Sequence, residues 1–428
     1  MEIMCGTGKR AKIGMFRKKE DTVTGAIMSF TFSTEQAAFL SSDRAADVRA
    51  GHRRQVKKYA DSLRIQTALR GQFPDLPPTL IAACMEQFRL GERGTGKCVL
   101  PEGCLYTADA LEMASSAAAA QLHASLLPAG GIILDIAAGI GSDAVRLAEK
   151  AEGVICVESD PVHAHFLRHN LDTARRRNAL VLRGRAEQWL PALRLDRIAG
   201  VFADPARRDE RGRHSALENM HPPLALFDRL PEGMPVLVKI APGVDPPSDW
   251  SVATVAVGRE CSEQLLHRGL DLPPVCALHA DEGLRWEPSN AKADVLPDLP
   301  SLLRSGPRCL VEPHAAIIRT GAVAQYFGEL GAVMHDAHIA YGWTDTQPPA
   351  SPWHQVFRIL RVEKFHRKEL RRIAAELDFG PSTELKKRGF PDAPEDLRRQ
   401  LRLRGSRRGV ILLTRQGDGH LMVFAERL

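Results

Sequence analysis

Ile132-Ile133-Leu134-Asp135-Ile136-Ala137-Ala138-Gly139-Ile140-Gly141-Ser142-Asp143-Ala144 is an apolar run that ends in a glycine turn and opens on helix-forming residues. Continuous apolar character over 131–136 reads as a strand buried on both faces. Gly139 and Gly141 can take positive φ and admit a ligand close to the backbone. The helix that comes next presents unpaired N–H groups at its start. On its own, Gly139-x-Gly141-x-x-Ala144 would serve any nucleotide-like cofactor, a dinucleotide included. Working outward, strand patterns at 153–158, 179–182, 197–203 and 235–240 alternate with helical patterns at 142–150, 161–175 and 186–193. This alternation predicts an α/β fold with a parallel, doubly wound sheet. Two more strand-like stretches, 252–257 and 275–279, are expected to close the sheet at one edge.

Two carboxylates select among cofactors. Asp135 stands at the strand end before the first glycine; a pyrophosphate would repel it, whereas a cationic or amino-bearing ligand suits it. Glu158, in Val157-Glu158-Ser159-Asp160-Pro161, is placed to accept both ribose hydroxyls of an adenosine, each charge-assisted bond contributing roughly 1.5–3 kcal/mol. Together they favour S-adenosylmethionine over a nicotinamide dinucleotide, with a ligand-free strand–helix turn as the bland alternative. Ala137, Asp143 and Ser159 flank these positions and join the expected cofactor-binding set. After the third strand comes Arg183-Gly184-Arg185-Ala186-Glu187, where Ala186 and Glu187 are the expected adenine contacts. Glu187 fits equally as a first-turn acid favoured by the helix dipole.

The fourth strand runs into Phe202-Ala203-Asp204-Pro205-Ala206-Arg207-Arg208-Asp209. Ligands of open α/β sheets lie off the carboxyl ends of the strands, so Asp204 is expected beside the reacting methyl group. An acceptor there orients an amine nucleophile or takes its proton. Pro205 stiffens the turn, and Arg207 and Arg208 are planar donors suited to phosphate or carboxylate. A surface loop whose charges pair with one another is the alternative. Lys239 and Asp245, off the fifth strand, and Glu112, Ser115 and Ser116, before the first, either line this cleft or serve ordinary packing and capping. No metal site is expected: His165 and His169 share a helix face without a third ligand, and the spacing of Cys84, Cys98 and Cys104 fits no metal pattern.

The chain has 428 residues, 44 % of them hydrophobic, with 58 Lys and Arg against 52 Asp and Glu. That length suggests two or three domains. The longest apolar candidate, 114–136, is broken by Gln121, His123 and Pro128, short of the roughly 20 residues of a membrane helix. Eight cysteines occur without a C-x-x-C pair, which, with no secretory apolar segment, predicts reduced thiols and a cytoplasmic protein. Residues 1–28 read as a disordered tail, or as an over-long start with Met28 as initiator. A capping box at Ser33 and Gln36 opens a helical region that continues near 43–69 and 77–89; 107–127 reads as one alanine-rich helix and 287–300 as a linker. Residues 357–415 hold 17 Lys and Arg against 8 Asp and Glu, while the remainder carries 41 against 44. A near-neutral body with a basic C-terminal segment points to a polyanionic partner or to a solvated helix surface. Within it, Arg358, Arg361, Lys364, Arg367, Lys368, Arg371 and Arg372 could share one basic helix face, and the cluster from Lys386 to Arg408 could track a phosphate backbone.

Asp135, Gly139-x-Gly141, Glu158 and Asp204-Pro205 resemble class I S-adenosylmethionine-dependent methyltransferases. More narrowly, Leu111-Glu112-Met113-Ala114-Ser115-Ser116, the D-P-A-R-R run at 204–208 and Val238-Lys239-Ile240-Ala241-Pro242-Gly243-Val244-Asp245 are similar to a bacterial family of these enzymes with a C-terminal THUMP-like domain. Val257-Gly258-Arg259-Glu260-Cys261-Ser262-Glu263-Gln264-Leu265 resembles that family's V-G-x-x-x-E-L segment. Glu312-Pro313-His314-Ala315-Ala316-Ile317-Ile318-Arg319 resembles its E-P-N-A-A-I-x-x signature, with His314 in place of Asn. The resemblance covers 107–428. It implies a helical region at 29–106, a Rossmann-like methyltransferase domain at 107–290 and an α+β THUMP-like domain at 300–428. It also implies S-adenosylmethionine as cofactor, and RNA as the substrate because THUMP domains proper bind RNA. The expected acceptor is a base nitrogen. A protein or small-molecule substrate, or a non-catalytic RNA-binding role, are the alternatives. One departure stands out: amino-group methyltransferases commonly follow D/N-P-P with an aromatic, whereas Ala206 and Arg207 occupy those places here. Guanidinium stacking by Arg207 or Arg208 could substitute.

Overall fold

The computed structural model describes residues 30–205, 208–209, 212–213, 217–296, 306, 308–392, 394–417 and 419–428. The expected tail at 1–28, Ala206 and Arg207 lie outside them. Four helices come first: α1 (Thr34–Leu40), α2 (Asp43–Val56), α3 (Ser62–Gln72) and α4 (Pro78–Gly94). The capping box forms as read, with the Ser33 hydroxyl accepting from the Gln36 N–H and the Gln36 side chain accepting from the Ser33 N–H. The stretch 43–69 is two helices, because residues 57–60 leave the helix and the Asp61 side chain caps α3.

The alanine-rich run is also two helices, α5 (Ala108–Met113) and α6 (Ala117–Leu126). Ala114 turns extended at the end of α5, and the Ser116 hydroxyl accepts from the Ala119 N–H to start α6. The apolar periodicity runs through the break, but serine competes with helical backbone bonding and favours caps. Two buried amides tie the front helices to the unit that follows. Gln87 brackets the backbone of Tyr106, and Asn170 accepts from the Leu105 N–H while donating to the carbonyls of Leu105 and Ile140.

The nine-stranded sheet contains β1 (Ile132–Ile136), β2 (Gly153–Glu158), β3 (Ala179–Arg183), β4 (Ile198–Ala203), β5 (Val236–Ile240), β6 (Ser251–Val257), β7 (Glu260–Arg268), β8 (Val275–His279) and β9 (Leu284–Trp286). Their order is β9-β8-β6-β7-β5-β4-β1-β2-β3. Helices α7 (Ser142–Lys150), α8 (Pro161–Thr173) and the short α9 (Ala186–Trp189) make the first crossovers. The sheet is mixed rather than wholly parallel: β7 runs antiparallel between β5 and β6, and β9 is antiparallel to β8. So 252–257 and 275–279 do not follow the fifth strand directly at the edge. The intervening β7 carries Glu260, Glu263, Gln264, His267 and Arg268, and this polar content hides its strand pattern.

A second, seven-stranded sheet comes after it, with β10 (Cys309–Pro313), β11 (Val333–Asp336), β12 (Ile339–Thr344), β13 (His354–Lys364), β14 (Glu384–Arg388), β15 (Val410–Gln416) and β16 (Gly419–Arg427) in the order β11-β12-β10-β13-β16-β15-β14. Helices α10 (Ala315–Arg319) and α11 (Val323–Glu329) pack toward the nine-stranded sheet, where Ala256, Ala277 and Trp286 share a core with Val311, Ile317 and Phe327. Helices α12 (Arg367–Glu376) and α13 (Pro394–Leu401) cover Ile411, Leu413, Met422 and Phe424. The expected linker is tied down over its described part, with backbone bonds from Ala293 to Ala324, from Met334 to Asp294 and from Leu296 to Met334. The expected basic helix face does not exist as one face: Arg358, Arg361 and Lys364 lie on β13, while Arg367 to Arg372 lie on α12. Among the described residues, no helix is long and apolar enough to cross a membrane.

Candidate active site

β1, β2, β4 and β5 run parallel and end at one edge of the sheet. Asp135 faces Phe202 in the β1–β4 register and is 1 % exposed. Neither of its carboxylate oxygens meets a hydrogen-bond donor among the described residues. Burial, and then the neighbouring Asp143, Asp204 and Glu158, push its carboxyl well above the usual carboxylate range. A buried acceptor without a donor costs about 1–3 kcal/mol. An ammonium group placed against it would remove that cost.

Glu158 ends β2. One of its oxygens accepts from the Gly139 N–H at 2.8 Å and the other from the Asp160 N–H at 2.8 Å, so it pins the glycine turn to the second strand. Each carboxylate oxygen can accept a further bond, and burial raises its carboxyl above the ordinary value. Ala137 (φ 60°) and Gly139 (φ 57°) are both left-handed, a backbone state that clusters where ligands are held when the residue is not glycine. A Cβ built at Gly139 would meet no atom of the described residues within 4 Å, so this side of the turn is open to a ligand. Gly141 (φ 96°) serves packing instead, since a Cβ there would stand 2.7 Å from Leu167 Cδ1, and the glycine lets α7 start against α8. Ser159 is exposed next to Glu158, Ala186 is buried and Glu187 half-buried on α9, and Pro205 is buried after Asp204. Arg208 enters a two-residue strand paired with 212–213.

Behind this edge lies a closed ring of side chains. Lys239 Nζ on β5 donates to the Ser115 hydroxyl at 3.2 Å and stands 3.4 Å from Glu263 Oε2. Glu263 Oε1 on β7 accepts from His123 Nε2 at 2.7 Å. His123 Nδ1 on α6 meets Asp143 Oδ1 at 2.7 Å, and Asp143 Oδ2 accepts from the Ser115 hydroxyl at 2.8 Å. From this ring Lys239 reaches forward to Asp204 Oδ2 at 2.8 Å. Burial opposes charge on His123, but Glu263 and Asp143 outweigh it and lift the imidazole to about 10. Burial likewise opposes charge on Lys239, and Asp204 and Glu263 overcome it, so the ammonium is held above its ordinary value. Glu263 is desolvated too, yet Lys239 and His123 pull it down to about 2. Phe202 stacks on the His123 ring at 5.0 Å.

The break between α5 and α6 is what turns Ser115 into this ring. Asp143, expected to touch the cofactor, has both oxygens engaged by Ser115 and His123. Neither His123 nor Glu263 is legible as a site residue in the sequence; the one hint is a histidine amid small apolar residues. Asp245 is exposed, as is Glu112 on α5. His169 bonds the Gly103 carbonyl at 3.0 Å, the structural use that its helical position also allowed.

The ring makes a pH prediction. His123 goes from an ordinary 6.5 to about 10 on folding, so its stabilisation is complete below about 6.5 and fades as pH rises toward 10. Glu263 goes from 4.5 to about 2, so its stabilisation is complete above 4.5 and fades as pH falls toward 2. Thermal unfolding measured against pH is expected to peak between those limits, and His123→Leu combined with Glu263→Leu is expected to flatten both flanks.

Reading outward from β3, the order β3-β2-β1-β4-β5-β7-β6 with β7 antiparallel, an acidic residue ending β2 and an open glycine turn after β1 define a class I S-adenosylmethionine-dependent methyltransferase. The unpaired Asp135 carboxylate and the open side of Gly139 fit the amino group and the approach of that cofactor. The chain is 32 % identical over 371 residues to uncharacterised S-adenosylmethionine-dependent methyltransferases from two strains of Mycobacterium tuberculosis, covering 82 % of this chain and 97 % of each relative. A family model described as "THUMP domain-like" matches residues 354–427. The fold also matches the crystal structure of a protein from Porphyromonas gingivalis assigned as a methyltransferase, with a TM-score of 0.69, 20 % identity, and coverage of 82 % of this chain and 92 % of that one. The chain belongs to this family of S-adenosylmethionine-dependent methyltransferases and ends in a THUMP-like domain.

Proposed function

We propose that the enzyme methylates RNA, with a base nitrogen as acceptor and Asp204 at the transfer site. The observation that carries the transfer site is the Lys239–Asp204 ion pair at 2.8 Å, in which the lysine is buried and the Asp204 side chain is 23 % exposed at the carboxyl edge of the sheet. When bound, S-adenosylmethionine supplies an electrophilic methyl group. Asp135 takes the amino group of the cofactor and Glu158 the ribose hydroxyls. Asp204 receives a hydrogen bond from the attacking amine, aligns its lone pair and takes the proton that the amine loses as it is methylated. Lys239 is a positioning residue: anchored by Glu263 and Ser115, it fixes the Asp204 carboxylate.

RNA as the substrate is supported by the THUMP-like match and by the charge that the C-terminal unit shows to solvent. Many of its cations are neutralised locally, as in Arg407 with Glu426, Arg367 with Asp392 and Arg399 with Asp396. Arg398 is used to donate to the carbonyls of Pro381 and Thr383. Lys364, Lys368, Arg371, Lys387, Arg402, Arg404 and Arg408 are exposed and make no ion pair with a described residue, which leaves them available to phosphate.

Incubation of the full chain with methyl-labelled S-adenosylmethionine and RNA from cells lacking the gene is expected to label RNA. Asp204→Ala is expected to cut that rate by about 10²–10⁴-fold, the range that a positioned acid–base group supplies. Label entering protein instead, or an undiminished rate in the variant, would defeat the proposal.

A further inference from the structure

A second cleft, of about 770 Å³, opens between the catalytic sheet and the THUMP-like sheet. One wall is built from the ends of β6 and β8, with Arg259 in the β6–β7 turn and His279 as the last residue of β8. The other wall carries Glu312 and His314 at the end of β10 and Lys386 and Arg388 on β14. The two sequence segments singled out beyond the cofactor turn, at 257–265 and 312–319, therefore meet here.

His279 is the first pointer to a ligand. It lines the cleft at 3 % exposure, and its Nδ1 has no hydrogen-bond partner among the described residues. The neighbouring histidines are committed elsewhere. His314 Nδ1 accepts from the Ala316 N–H at 3.0 Å, doing as helix cap what an asparagine oxygen would do, and its Nε2 contacts the Gly258 carbonyl. His354 is held by Tyr326 and the Pro349 carbonyl.

Charge is the second pointer. Lys386 and Arg388 share the Glu312 carboxylate, with Glu384 3.6 Å from Lys386 on its other side, and exposed Arg259 faces them from the other wall, while Asp281 and Glu282 form an acidic rim beside His279. An inorganic anion would satisfy only the cations. A ribonucleotide carries both an anionic phosphate and the hydroxyl and amino donors that carboxylates and an imidazole nitrogen accept. Position is the third. β6 and β8 run parallel to β4 and end on the same edge. At strand spacings of about 4.8 Å, the cleft begins three to four strands, roughly 14–19 Å, from Asp204.

We propose that this cleft seats a ribonucleotide of the substrate next to, but outside, the methyl-transfer site, its phosphate on Arg259, Lys386 and Arg388 and its base or sugar against His279. The assignment rests on RNA being the substrate. The test is fluorescence anisotropy of the full chain with a labelled single-stranded RNA of roughly 8–16 nucleotides, titrated at several salt concentrations, and with DNA of the same sequence. Arg259→Glu, an exposed change, is expected to weaken RNA binding about tenfold and to reduce the salt slope by about one. His279→Gln, checked for folding by its melting curve, is expected to weaken RNA binding without changing that slope and to narrow the preference for RNA over DNA. Cofactor affinity, read by calorimetry with S-adenosylhomocysteine, should stay at the wild-type value in both. If wild type binds RNA and both variants match it, the cleft is not a nucleotide site, while RNA stands as the substrate. If wild type binds no RNA at low salt, RNA falls and the cleft assignment falls with it.

Discussion

Glu263→Ala is expected to cost the protein about 3–5 kcal/mol of stability, the range seen when one partner of a buried charge network is removed. The carboxylate lies at 3 % exposure between His123 and Lys239. Without it the imidazolium and the ammonium stay buried with their shared anion gone. Against a typical total of about 5–15 kcal/mol, that loss would leave much of the chain unfolded at growth temperature. Urea unfolding followed by circular dichroism measures it. Glu263→Gln keeps hydrogen-bonding capacity and should lose less, and the paired change His123→Leu with Glu263→Leu should recover part of the loss because both charges leave together. A Glu263→Ala protein as stable as wild type would show that the ring does not hold the fold.

Asp135→Asn is expected to move binding and stability in opposite directions. The carboxylate is buried, has no donor among the described residues and is crowded by Asp143, Asp204 and Glu158. Neutralising it should raise the stability of the ligand-free protein by about 1 kcal/mol, as happens when a strained functional group is relaxed. The same change removes a charge-assisted bond to the cofactor's amino group, worth roughly 1.5–3 kcal/mol, so affinity should fall about 10- to 150-fold. Melting without ligand reads the first effect, and calorimetry with S-adenosylhomocysteine the second. Lower stability together with unchanged affinity would contradict the role given to Asp135.

The glycine turn, Asp135, Glu158 and Asp204 were legible because each sits at the carboxyl end of an apolar strand, where position along the chain fixes position in the site. Asp143, Lys239 and Ser115 were also singled out, but their joining in a ring with His123 and Glu263 was not legible. His123, Asp143, Lys239 and Glu263 come from α6, α7, β5 and β7, and only the packed sheet brings them within 2.7–3.4 Å of one another. β7 itself was hidden because its inward side chains include Glu263 and Gln264, buried polar groups that break the apolar pattern of a central strand. The break at 114–116 was hidden for the opposite reason, since alanine-rich periodicity continues across it. Charge counting overstated the basic segment: Glu312 and Glu426, from outside 357–415, each pair with two of its cations, Glu312 with Lys386 and Arg388 and Glu426 with Arg358 and Arg407, and so offset part of its charge.

Mass spectrometry of nucleosides from RNA of cells with and without the gene tests the central claim most directly. RNA from cells lacking the gene should miss one base-methylated nucleoside, and an active copy should restore it where an Asp204→Ala copy does not. An unchanged set of methylated nucleosides would contradict RNA as the substrate.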